Sequence, residues 1–322
     1  MLFRSEQTSQ AFGEFVDVRF DPTGGVTVVP GSISHGQGHE TMYKILLSDR
    51  LGIPEEQIRV SRNDTDLAAD GGGTFASRTA VLGGSAARLA TDKIIEKGRR
   101  IAAHMLEAAV ADIEFGRGTF TVSGTDRSVP LVDVVKAAFQ RSKIPADMET
   151  GLAATANFSP EIPNFPTGCH ICEVEIDPET GKTEVLRYTV VDDVGTVINA
   201  LTLEGQIHGG IGQGVGQAFS EHIVYDPESG QLLSGSFMDY GMPRADDMCS
   251  FDLENHPVPT QTNPIGAKGA GEAGNVGALA AIMNAVVDAL SPLGIRHIEM
   301  PATPDKVWRA IRNASSGNAQ AH

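Results

Sequence analysis

The amino-acid sequence predicts an α+β protein of two lobes, residues 1–165 and 166–322, each built of mixed sheets packed with helices. Three observations carry that prediction: alternating apolar stretches flank strong turn signals, one long stretch near residues 81–111 keeps helical spacing, and glycine is gathered into clusters that open onto helical patterns. The chain has 322 residues, 41% of them hydrophobic, which on the usual size prior is enough for about two domains with real cores.

Taken in order, Phe15, Val16, Val18 and Phe20 alternate into a turn at 21–25, and Val26, Val28 and Val29 leave it, which reads as a hairpin. Residues 31–38, rich in glycine, serine and histidine, lead into a helix marked by Met42, Ile45, Leu46 and Leu51 and closed by Gly52. A short strand is expected around Ile58 and Val60, then a polar, glycine-rich run over 63–78. From 81 to 111 the spacing implies a helix of about 45 Å, with Gly98 as a point of bending. Residues 119–167 are less decisive: one helix at 131–139 and a proline-bearing connector at 157–167, the expected lobe boundary. Strands at 169–177 and 182–194 flank a turn at 177–181, and a helix of small residues covers 203–220. A turn at 225–230 precedes strand-like material, and the last large helix carries a stripe of Val276, Leu279, Met283, Val286 and Leu290. The tail after Arg312 is short, small and polar and is expected to be disordered.

Charge and cysteine usage narrow the function classes. With 25 basic and 41 acidic residues the formal net charge is −16, which opposes nucleic acid or an anionic membrane as the main partner. No apolar run is expected to reach the roughly 18–20 residues of a spanning helix. The N-terminal sequence lacks the pattern of a secretory signal, and three cysteines cannot form a disulfide framework, so a cytoplasmic location is expected.

Three glycine clusters, at 31–38, 71–79 and 266–274, each open a predicted helix. Helix starts leave backbone N–H groups unpaired and carry partial positive charge, and glycine lets a ligand approach closely. Three such loops in one chain suggest an anion with several oxygens, a phosphate or a metal oxo centre; tight turns between packed elements are the plainer reading of any one of them. Glu272, inside the third cluster, is either an ordinary first-turn glutamate or a carboxylate in a ligand cavity, raised by burial toward general-base use. Gly269, Gly271 and Gly274 match a dinucleotide fingerprint, but the polar, proline-containing residues before them do not read as the buried strand that a nicotinamide dehydrogenase needs. His35 and His39 lack a third zinc ligand, and Asp64 and Asp66 begin a calcium loop that Ala68 and Ala69 do not continue. Cys169 and Cys172 lie three apart on a strand, where their side chains diverge, so they read as buried apolar residues.

Four ordered motifs then carry a resemblance. They are Gly36-Gln37-Gly38-His39-Glu40-Thr41; Gly73-Thr74-Phe75-Ala76-Ser77-Arg78; Asp193-Val194-Gly195 with Asn199 and the run 204–210; and the run 266–274. Over nearly the whole chain this is similar to the C-terminal half of the molybdopterin-binding large subunit of the xanthine oxidase family, nearest to bacterial carbon monoxide dehydrogenase and aldehyde oxidase large chains. The resemblance implies a molybdenum–molybdopterin cytosine dinucleotide cofactor and hydroxylation of an aldehyde, N-heterocycle or similar electrophilic carbon with oxygen from water. It implies cofactor contacts from Gly36, Gln37, Gly38, His39, Thr74, Phe75, Ala76, Ser77, Arg78, Gln206, Lys268, Gly269 and Gly271, with the Ala76 backbone lying against the metal. Glu272 corresponds to the family's catalytic base, which takes the proton of a metal-bound hydroxyl. The implied partners are a chain supplying the N-terminal half of the large subunit, an iron–sulfur small subunit with 2Fe–2S centres and an FAD-binding medium subunit. None of Cys169, Cys172 and Cys249 falls where a carbon monoxide dehydrogenase carries its active-site cysteine, so a copper site is not expected. A non-catalytic molybdopterin-binding or assembly fragment is the alternative reading, with the NAD-dependent dehydrogenase a more distant one.

Overall fold

This computed structural model describes residues 2–4, 13–61 and 64–318, and among them the chain forms three sheets and six α-helices in an α+β arrangement. After a short strand β1 (Leu2–Arg4), β2 (Glu14–Phe20) and β3 (Val26–Pro30) make the expected antiparallel hairpin, with Val18 opposite Val28. Its turn closes because Asp21 Oδ1 accepts hydrogen bonds from the backbone of Thr23 and Gly25. α1 (His39–Leu51) follows and ends on Gly52, whose N–H donates to the Ser48 carbonyl at 2.8 Å. β4 (Ile58–Val60) is the expected short strand, and it adds to β3 in parallel.

α2 (Gly84–Leu106), led in by a wide turn at Thr79–Gly83, packs across β2 and α1. It is shorter than the spacing predicts, about 35 Å at 1.5 Å per residue. The chain leaves the helix where Glu107 turns left-handed at φ +50°. Gly98 sits inside the recorded helix, and its missing Cβ makes room for the Phe120 ring, 2.5 Å from where that atom would lie. The undecided stretch after it holds a second sheet of β5 (Ile113–Gly116), β6 (Thr119–Val122) and β7 (Ser128–Pro130), then α3 (Leu131–Ala138). β8 (Ala153–Phe158) returns to complete the first sheet in the order β4-β3-β2-β8, so the proline connector begins later than the sequence suggests. Val16, Val18, Val28, Tyr43, Leu47, Ile94 and Phe120 are among the buried residues of this first core.

A second core is assembled from Val185 to Ile311. β9 (Thr167–Ile176) and β10 (Thr183–Asp193) pair antiparallel, α4 (Ala200–Phe219) follows, and β11 (Phe251–Asn255) lies parallel to β10, giving the order β1-β9-β10-β11. α5 (Ala273–Leu290) buries Val286 and Leu290 of the predicted stripe and half-buries Leu279 and Met283, but its first half turns Gly274, Gly277, Ala278, Ala281 and Ile282 inward and leaves Val276 exposed. The reason is close approach to α4, where a Cβ on Gly214 would lie 2.5 Å from that of Ala278. The stretch Ala273–Leu293 is 21 residues long and apolar enough to span a membrane by length and composition, contrary to expectation, yet α5 packs on α4 and β9. Of the tail after Arg312 expected to be disordered, residues 313–318 continue α6 (Pro304–Asn318), whose earlier Val307 and Ile311 are buried in the second core; residues 319–322 lie outside the described chain.

Candidate functional site

Loops from both cores meet around a cavity of about 540 Å³. One wall is made by residues 35–39 and 74–80, the other by 194–206 and 267–272. Twelve of the fourteen sequence-predicted site residues line it: Gly36, Gln37, Gly38, His39, Thr74, Phe75, Ala76, Ser77, Gln206, Lys268, Gly271 and Glu272. The sequence reasoning missed Met42, Thr196, Val197, Ile198, Thr202 and Leu203, which also line it. Their only sequence signal is position, at the start of a helix or between the end of β10 and the start of α4.

The first wall is held by few, specific bonds. Gly38, at φ +83°, starts α1 with no side-chain cap, and the side-chain Oε1 of Gln37 accepts from the His35 backbone N–H. His39 is buried; burial, reinforced by the neighbouring His35, holds its pKa down at about 4, so the ring is neutral and its Nδ1 has no hydrogen-bond partner. Thr74 ties the two glycine loops by donating to the Ile33 carbonyl at 2.6 Å. Ala76 and Ser77 both take left-handed backbone, φ +47° and +51°, which costs roughly 1–2 kcal/mol per residue. Ser77 Oγ accepts the Glu272 backbone N–H at 3.0 Å and donates to Glu272 Oε2 at 3.1 Å, so the walls are joined at the acid itself.

Arg78 is a correction to the predicted contacts. It does not line the cavity; it is 2% exposed and turns inward, where its guanidinium meets Glu14 Oε2 at 3.2 Å and donates to the Gly73 carbonyl at 2.8 Å. Gly269 is also off the wall, buried behind it. Glu272 differs from expectation too, because its residue is exposed at the edge of the cavity instead of buried within the chain.

On the second wall Asn199 caps α4 by accepting from the Thr202 N–H at 2.9 Å. Lys268 pairs with Asp193, whose Oδ1 also accepts from the backbone of Gly195 at 2.9 Å and of Val258 at 3.0 Å. α5 begins immediately after Glu272 without a side-chain cap.

The glycine clusters prove to be mixtures. A Cβ on Gly31 would collide with the Asp70 carbonyl, and one on Gly71 with the Gly31 carbonyl, so these two glycines serve packing. At Gly36 and Gly73 nothing lies within 4 Å of where a Cβ would project. An oxygen-rich anionic group therefore fits the cavity: two uncapped helix starts, a lysine and open glycine backbone lie around one space, with the neutral His39 among its lining residues.

The competing motifs fall elsewhere. No strand precedes Gly269, since residues 261–268 form turns and a single bridge residue, so the dinucleotide fingerprint lacks its scaffold. Among the described residues no group of three or more His, Cys, Asp or Glu could hold a metal ion. Cys169 faces Val191 across the sheet and Cys172 faces Tyr188; Cys172 is half-buried, and burial pushes its thiol up to about 12. Asp64 Oδ1 accepts from the Asp66 N–H at 2.9 Å, a local turn.

Glycine loops from separate segments, converging on one cavity with an acid at its edge, define a scaffold for an anionic cofactor. Residues 2–249 match the molybdopterin cofactor-binding domain family, and the chain belongs to that family, as its motifs imply. It is 38% identical over 297 residues to the carbon monoxide dehydrogenase large chain of Hydrogenophaga pseudoflava, which covers 92% of this chain and 37% of that one. It is 39% identical over 313 residues to the nicotine 6-hydroxylase large subunit of Paenarthrobacter nicotinovorans, covering 97% of this chain and 38% of the relative. Its fold matches the quinoline 2-oxidoreductase of Pseudomonas putida with a TM-score of 0.86 at 37% identity, over 93% of this chain and 38% of that one. The Cu,Mo-CO dehydrogenase matches with a TM-score of 0.89 at 35% identity, over 94% and 38%. The chain thus spans under two-fifths of the length of these relatives.

Proposed function

We propose that this chain is the cofactor-facing part of the large subunit of a molybdenum hydroxylase, and that it acts on an aldehyde, N-heterocycle or similar small electrophilic-carbon substrate. The observation that carries the reading is the convergence of Gly36, Gln37, Ala76 and Glu272 on one cavity from segments far apart in sequence. The residues that would hold a molybdenum–molybdopterin cytosine dinucleotide are 36–39, 74–77, Gln206, Lys268 and Gly271. When bound, that group supplies the two-electron chemistry that places water-derived oxygen on carbon. Glu272 is the proton acceptor, with Ser77 orienting its carboxylate and anchoring its backbone. Lys268 and the neutral His39 contribute a cation and an unused ring nitrogen to the anion's surroundings.

Glu272 is exposed in this chain, and a general base works best when water is excluded, so the reading includes a cover over the cavity. That cover is the remainder of the large subunit, which the relatives carry in one polypeptide and of which this chain spans the smaller share. An iron–sulfur small subunit and an FAD-binding medium subunit complete the electron path. The division into lobes at 165/166 belongs to the same reading, supported by the two separate clusters of buried apolar residues. Three free cysteines suit a reducing, cytoplasmic setting.

The test is reconstitution of this chain with the rest of its large subunit and partner subunits, followed by oxidation assays with an artificial electron acceptor. Glu272→Gln is expected to lower turnover by at least about 10²-fold while molybdenum content stays at the wild-type level. Full turnover in that variant removes the base assignment. Absence of molybdenum from the reconstituted wild type removes the cofactor reading.

A further inference from the structure

The left-handed pair Ala76–Ser77 raises a question of support. Two successive non-glycine residues in that conformation are held only when their surroundings over-determine them, and Ser77 itself is half-exposed at the cavity. The support comes from the next residue. The Arg78 guanidinium reaches the Gly73 carbonyl at the start of the turn, the Gly13 carbonyl and the Glu14 carboxylate on β2, and lies 5.2 Å from the centre of the Phe75 ring. One buried cation therefore gathers both ends of the turn and its aromatic side chain onto the first sheet. The loop is shaped to allow this: a Cβ on Gly72 would lie 2.8 Å from Arg78 Nη1, and the Glu14 side chain is enclosed by Gly31 and Gly83.

Resting on the proposed role of Glu272, we infer that Arg78, anchored by Glu14, is a positioning residue that fixes the turn 75–77 so that Ser77 can hold the acid in place. Arg78 touches neither the cavity nor Glu272; it acts through Ser77, whose hydroxyl bonds both the backbone and the carboxylate of the acid. Lysine cannot substitute, because its single ammonium lacks the planar fork that bonds two carbonyls and a carboxylate while stacking on a ring.

Amide hydrogen exchange on the full chain tests this without depending on turnover. In Arg78→Lys the amides of 74–78 and of Glu272 are expected to exchange about tenfold faster, while those of the β2–β3 hairpin keep wild-type protection. Ser77→Ala is expected to expose the Glu272 amide alone, and the double variant to expose it no further than Arg78→Lys does. A folded Arg78→Lys protein with unchanged protection at Glu272 overturns the inference. Should Arg78→Lys fail to fold, Phe75→Leu, which removes the ring and keeps the ion pair, is expected to loosen Glu272 by a smaller factor; unchanged protection there overturns it equally. In the reconstituted complex, Arg78→Lys is expected to lower kcat about tenfold with KM unchanged, the pattern of a misplaced catalytic group. If Glu272→Gln turns over normally while the exchange results hold, the base assignment falls and the positioning of this loop stands.

Discussion

The two walls of the cavity are each tied by an acid–base pair, and the pairs behave in opposite ways. In the first wall Glu14 and Arg78 are almost wholly buried, and burial pushes the Glu14 carboxyl up from 4.5 to about 7 against the pull of the arginine. In the second wall burial also pushes Asp193 up, but hydrogen bonds from Lys268, Val258 and Gly195 outweigh it and hold the carboxyl below its usual value. The difference lies in the depth of burial and in the donors, not in the charge. Asp193 has two backbone N–H groups and a lysine aimed at it, whereas Glu14 is offset chiefly by Coulomb attraction to Arg78, with a lesser contribution from the Phe15 backbone N–H.

Removing the cation from each pair is the strongest way to break this comparison. Arg78→Met leaves a buried carboxylate without its counter-charge and is expected to cost about 3–5 kcal/mol at pH 8, less at pH 5, where Glu14 takes up a proton. Lys268→Met leaves Asp193 with its two backbone donors and is expected to cost only about 1 kcal/mol. Urea denaturation of both variants measures the contrast; equal losses would end it.

A smaller effect tests whether the first wall is rigid because its glycines pack on the pair. Gly31→Ala drives a methyl into the Asp70 carbonyl and the Glu14 side chain and is expected to cost about 1–3 kcal/mol in the same assay. A near-neutral Gly31→Ala would show that this crossing of loops yields easily.

In the wild type the smallest effect is a pH signature of the first wall, because two opposed titrations offset each other there. Between pH 4.5 and about 7 folded Glu14 keeps a proton that the unfolded chain has released, so its contribution is full below pH 4.5 and is lost as pH rises through about 7. His39 works the other way. The unfolded chain binds a proton below 6.5 that the folded ring refuses until about 4, so its contribution is present above pH 6.5 and is lost as pH falls. The two slopes oppose each other in the wild type. Glu14→Gln is expected to leave stability rising from pH 4 to 6.5, and His39→Asn to leave it falling, both measured by urea unfolding across that range. Asp193 adds nothing to this window, since its contribution is lost only as pH falls below 3.8.

Much of the fold was legible in local pattern. The β2–β3 hairpin, α1 with its glycine stop and the β9–β10 pair lie close to where turn residues and apolar spacing put them. The strands that escaped notice, β1 and β5 to β8, are three to six residues long, and β11 fell in a stretch read only as strand-like. β8 and β11 pair with strands far away in sequence, and the turn joining β5 to β6 uses Arg117 at φ +48°, a conformation its side chain does not advertise. On α5 the predicted stripe holds at Val286 and Leu290 but fails at Val276, because large apolar residues signal burial whereas contact with α4 selected small ones there.

By itself, the order of residues determined the main hairpin turns, the glycine stop of α1, and that four motifs belong to a molybdopterin-binding family, because each depends on neighbours a few positions apart. Tertiary structure alone decided which glycines face the cavity, that Arg78 points away from it toward Glu14, and that Ser77 meets Glu272 across 195 positions. Those outcomes depend on burial and on charges brought together from distant segments, and neither exists until the chain has folded.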